Sequence, residues 1–98
     1  MTSPRLRKGG SIEPAQLVLQ QNPVYPLQAK QLRVSGTVEV HFKIGINGQV
    51  HDIRAVSGPS ILAQAAIEAV QARQYRPSRV EGIPTETDAS AVFVFKLY

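Results

Sequence analysis

From Thr37 to Ile46 every second residue is apolar: Val38, Val40, Phe42, Ile44 and Ile46 alternate with Thr37, Glu39, His41, Lys43 and Gly45. Successive side chains of a strand point to opposite faces, so this pattern predicts a strand with one dry face and one wet face. Asn47-Gly48 follows, a pair that tolerates the positive φ angles of a two-residue type I′ turn, whose twist matches that of the strands on either side. A β-hairpin is therefore predicted. With a two-residue loop Lys43 stands opposite Asp52 and Glu39 lies diagonal to Arg54, so opposite charges line the wet face. The same register puts His41 on the polar face and His51 on the apolar face beside Ile44.

Other elements fall around this hairpin. In Asn22-Pro23-Val24-Tyr25-Pro26 each proline drives the residue before it toward an extended conformation, while Pro26 suits the first position of a helix. That helix is expected over 26–34, with Tyr25, Ala29 and Leu32 on one buried stripe. Gly58-Pro59-Ser60 closes the second strand and makes Ser60 a candidate helix cap. Leu62, Ala66, Ala69, Val70 and Arg73 then recur at helical spacing over 61–74. Residues 76–88 hold Pro77, Gly82 and Pro84 among charges and read as a surface connection with short extended pieces. Ala89 to Leu97 (ASAVFVFKL) is rich in β-formers, apolar at alternate and intervening positions alike, which predicts a strand covered on much of both faces or engaged by a partner.

The predicted fold class is α+β: a small antiparallel sheet made of the hairpin plus a C-terminal strand, with two helices packed on one face, in the order α-β-β-α-β. Residues 1–11 read as a flexible tail, 12–21 as an extended lead-in carrying the apolar run Leu17-Val18-Leu19, and 22–98 as the domain. No apolar run approaches the roughly 18 residues of a membrane span, and no signal-peptide stretch opens the chain, so it is expected to be soluble and to carry no address.

Little in the chain suggests catalysis. Cysteine is absent, which removes disulfides, thiol nucleophiles and cysteine metal sites. The two histidines are predicted to point apart, and Glu81, Glu86 and Asp88 share a loop with no rigid scaffold between them. Ser60 lacks the second glycine of a nucleophile elbow, and neither glycine-rich phosphate loop occurs. The net charge of +4 brings with it no zinc-finger spacing and no aromatic RNA-binding signature, so nucleic acid is not an expected partner. An interaction module without cofactors is the reading these residues favour over an enzyme.

The segment PVYPLQAKQLRVSGTVEVHFKIGINGQV, then YRPSRVEGIP, then AVFVFKL resembles the TonB C-terminal domain family. The shared pattern is a Y-P pair, an alanine, a G-x-V strand, an N/D-G turn, an aromatic-R-P after the second helix, and a final F-x-F/L strand. It covers about residues 22–98. Two departures stand out: Asn22 where the family often has glutamine, and Gln74 where it often has an aromatic.

The resemblance implies a periplasmic module of an inner-membrane-anchored energy transducer that works with ExbB and ExbD through its missing N-terminal part. The family domain grips the TonB box, a short extended segment of an outer-membrane transporter, and transmits force for uptake of nutrients such as siderophores. Carried over residue by residue, Gln21, Asn22, Pro23 and Val24 match the segment that contacts the box. Ala89, Ser90, Ala91, Val92, Phe93, Val94, Phe95 and Lys96 match the edge with which the box pairs, and Phe93, Phe95 and Tyr98 become candidates for apolar contact with it. The alternatives are an adaptor or sensor domain that binds another periplasmic protein or a cell-wall component, and a homodimer formed by strand exchange.

Overall fold

The computed structural model describes residues 11–97. Residues 1–10, most of the expected tail, and Tyr98 lie outside the described residues. The chain runs β1 (Ile12–Glu13), β2 (Gln16–Leu19), α1 (Leu27–Gln31), β3 (Gly36–Ile44), β4 (Val50–Ser57), α2 (Ser60–Gln71), β5 (Gln74–Arg76), β6 (Ser78–Val80), β7 (Ile83–Thr85) and β8 (Thr87–Phe95). The central sheet has the order β4-β3-β8 and both pairings are antiparallel. This is the α+β class read from the sequence. The lead-in and the connection over 76–88 are more ordered than their composition suggested: β2 pairs β5, and β1, β6 and β7 form a three-stranded sheet.

The core follows from the alternation in β3. Val38, Val40, Phe42 and Ile44 are buried and meet Leu62, Ala65, Ala66, Ala69 and Val70 of α2, while Ala91, Phe93 and Phe95 extend the layer from β8. Alanines on α2 let its backbone approach the sheet, and Leu62 with three fully buried valines, Val38, Val40 and Val70, fills the centre. Arg73, just past the helix, places its guanidinium 5.4 Å from the Phe93 ring centroid and donates from Nη1 to the Tyr75 hydroxyl at 2.9 Å. Ser60 is the first helical residue rather than the cap: Pro59 occupies the cap position, and no side chain caps the helix.

α1 ends earlier than its periodicity predicted. Arg33 adopts a left-handed φ of 56°; its N–H donates to the Lys30 carbonyl at 3.1 Å, and the Val34 N–H donates to the Ala29 carbonyl at 2.8 Å. These two bonds form a Schellman motif, which satisfies the last carbonyls and turns the chain out of the helix. Leu32 consequently faces solvent at 63% exposure, whereas Ala29 is fully buried.

The hairpin forms, but its turn is one residue longer than expected. The Gly48 N–H donates to the Gly45 carbonyl at 2.9 Å and the Gly45 N–H to the Gln49 carbonyl at 2.8 Å. Gly48 alone in the loop has positive φ, at 82°, so Ile46, Asn47 and Gly48 form a three-residue connection. The extra residue slips the register by one, and Lys43 faces His51 instead of Asp52. A slip of one turns every side chain over, so His51 lies on the polar face together with His41. A bulge at Asp52, where φ is 52°, then restores the alternation, and His41 stands opposite Arg54.

Candidate partner-binding site

β8 pairs with β3 through nine consecutive residues, Thr87 to Phe95, without a register shift. Among the described residues no strand lies on its other flank. The opposite margin of the sheet, β4, is interrupted twice, between its partners His41 and Lys43 and again between Glu39 and Val40. Bulges twist an edge and break its row of backbone donors and acceptors, whereas a straight edge offers that row intact. The sheet therefore has one edge suited to strand addition and one that resists it.

Along β8, Ala91, Phe93 and Phe95 are buried, Ala89 is half-buried, and Ser90, Val92 and Val94 face outward. The outer face is not covered as the apolar intervening positions had suggested: Val92 and Val94 are 60% and 57% exposed. Phe93 and Phe95 belong to the core, so the valines supply most of the apolar surface a neighbouring strand would meet. Lys96 follows the strand and is exposed.

Asn22, Pro23 and Tyr25 share a groove of about 430 Å³ with Val94, Phe95 and Lys96. Pro26 is extended, with φ −62° and ψ 136°, and Tyr25 anchors the segment before it. Its ring meets Phe95 edge-to-face at 5.4 Å and 88°, and its hydroxyl donates to the Val34 carbonyl. Asn22 and Pro23 also line a smaller hollow of about 150 Å³ with Gln21, Val24, Ala65, Glu68 and Ala69 on the α2 side. The structure thus brings Asn22 and Pro23 together with Val94, Phe95 and Lys96. Gln21 and Val24 line only the α2-side hollow, and Ala89, Ser90, Ala91, Val92 and Phe93 continue the edge outside the groove.

Tyr25 is the groove residue that sequence reasoning placed in the core. Its signal was present in the Tyr25-Pro26 pair, since an aromatic held extended by a following proline cannot join the helix.

The N-terminal end of β8 is electrostatically distinct. Lys43 Nζ donates to Asp88 Oδ1 at 2.9 Å, which raises the lysine above its ordinary value and holds the Asp88 carboxyl below the usual carboxylate value. His41, Phe42, Lys43, Asp52, Arg54, Asp88 and Ala89 surround a polar hollow of about 300 Å³ there. Among the described residues no group of three His, Asp or Glu side chains is arranged to hold a metal ion, and no helix is long and apolar enough to cross a membrane.

Residues 21–97 match the family described as Gram-negative bacterial TonB protein C-terminal. The solution NMR structure of the Pseudomonas aeruginosa TonB CTD is similar at a TM-score of 0.69 and 26% identity, over 85% of this chain and 86% of that one. No curated protein matches the chain.

Proposed function

Because the chain belongs to the TonB C-terminal family, we propose that it is the periplasmic, non-enzymatic coupling domain of an energy transducer, and that it takes up the TonB box of an outer-membrane transporter as an added strand on β8. The parent protein would be anchored in the inner membrane, work with ExbB and ExbD, and transmit force that opens the transporter to nutrients. The observation that carries this reading is the unbulged, open flank of β8, which runs into the groove shared with Asn22, Pro23 and Tyr25. Backbone ladder bonds supply sequence-tolerant affinity, and side-chain contacts at alternate positions supply preference.

The magnitudes describe a transient grip. About five ladder bonds at a net 0.5 to 1.5 kcal/mol each, with roughly 1 kcal/mol from covering each exposed valine, give about 5 to 10 kcal/mol against an association cost of about 4 to 15 kcal/mol. Binding of a free peptide at micromolar affinity or weaker follows. Force can then be applied to the complex and the complex released.

The test is an NMR titration of the domain with a TonB-box peptide. Amide shifts should centre on residues 89–96 and extend to 22–25. No shifts at millimolar peptide would remove the reading. Sedimentation across a wide concentration range addresses strand exchange at the same edge: a dimer that loses its affinity for the peptide would mean that the edge serves self-association instead.

A further inference from the structure

The geometry points to His51 as a doubly protonated strap that fastens the start of β8 to β4 across the intervening strand, so that this end of the sheet is secured or loosened by pH. This inference does not depend on what the far end of β8 binds.

Both ring nitrogens of His51 face carboxylates. Nε2 lies 2.7 Å from Glu86 Oε2, and Nδ1 lies 3.0 Å from Asp52 Oδ2. A neutral imidazole carries one N–H and one lone pair. It can donate to either carboxylate, but its bare nitrogen would then repel the other oxygen at hydrogen-bond distance. Only the imidazolium satisfies both contacts. The hydrogen bond to Glu86 raises the histidine above its ordinary value of 6.5; desolvation opposes it, and the contact with Asp52 adds a lesser rise.

The placement gives this contact a mechanical meaning. Glu86 is the single residue between β7 and β8, whereas His51 belongs to β4 on the far side of β3. The bond therefore spans the sheet. The other charges at this end of the sheet are Lys43, the register partner of His51 on β3, Asp88 on β8, which accepts from Lys43 at 2.9 Å, and Arg54 further along β4. Lys43 is hydrogen-bonded to Asp88 and feels Glu86 and Asp52 only through longer-range attraction, so the short contacts of those two carboxylates are with His51. When the ring loses its proton, one contact is lost outright and the other weakens from a charge-assisted to an ordinary hydrogen bond.

The direction follows from linkage. A raised folded-state value means that the strap contributes fully below pH 6.5 and is lost as pH rises through the raised value. The experiment is a pH titration of the whole chain by NMR, following the His51 ring nitrogens and the Glu86 and Thr87 amides. The ring should titrate above 6.5 with both nitrogens protonated below the midpoint, and the amides should move with the same midpoint. Glu86→Gln should lower the midpoint more than Asp52→Asn. His51→Gln, at an exposed position that leaves the core intact, should abolish the amide transition. A ring midpoint at or below 6.5, a midpoint that Glu86→Gln leaves unmoved, or Glu86 and Thr87 amides that do not follow the ring would each overturn the proposal.

Discussion

Replacing Gly48 with alanine should destabilise the domain far more than the same change at Gly82, although the two glycines have nearly the same positive φ. Their φ angles are 82° and 81°, so the left-handed cost to an L-residue, about 1 to 2 kcal/mol, is common to both. Their surroundings differ. A Cβ on Gly82 meets nothing within 4 Å, whereas one on Gly48 would sit 1.9 Å from the Tyr75 carbonyl oxygen. Reaching an ordinary contact requires the hairpin turn and β5 to part by more than an ångström. That movement breaks the bond from the Tyr75 N–H to the Gly48 carbonyl at 3.0 Å and strains the neighbouring Gln49–Gln74 bridge. Loss of one or two backbone bonds, with groups left poorly paired, is worth about 2 kcal/mol or more. In urea denaturation, with a slope of about 1 to 2 kcal/mol per M, Gly48→Ala should therefore lie about 1 to 2 M below Gly82→Ala. Equal midpoints would refute the claim that the turn is locked by the strand behind it.

Three further outcomes are expected. Arg33→Gly should stabilise by about 0.5 to 1 kcal/mol in the same assay, because Arg33 holds a left-handed φ of 56° at the end of α1; a loss of stability would mean that the arginine side chain matters more than its backbone. Val94→Thr keeps β propensity but removes apolar surface from the open face of β8, so peptide affinity should fall about threefold to tenfold by calorimetry while the unfolding midpoint stays nearly constant. Unchanged affinity would detach Val94 from the site. Asp88 titrates below its ordinary value of 3.8 because of Lys43, so its contribution is present above that value and is lost as pH falls through the lowered one. Asp88→Asn should flatten this acid limb at low ionic strength, and added salt should shrink the difference between variant and wild type; identical acid limbs would show the pair to be inert.

The central elements were legible because each is written in a local period. The alternation of β3 identified its buried face from Val38 to Ile44, although Ile46 of the same alternation lies exposed in the turn, and the spacing of Leu62, Ala66, Ala69 and Val70 identified the face of α2. The candidate site was legible in part. The resemblance marked both segments, but only the folded chain brings Asn22 and Pro23 against Val94 to Lys96, while leaving Gln21 and Val24 outside that groove. Phe93 and Phe95 were open to either role in the strand, and packing under the sheet assigned them to the core.

What the sequence determined by itself was the central elements and the dry faces of β3 and α2, since hydrophobic periodicity and turn residues act over a few neighbours. Three matters were decided only by tertiary structure. The three-residue turn fits against Tyr75 at a position no local pattern encodes, and it moved His51 to the polar face. The end of α1 was fixed by a left-handed Arg33 whose cost is offset by paired carbonyls. The openness of β8 depends on strand order, because whether an edge is free is a property of what lies beside it, and residues near in sequence carry no information about that neighbour.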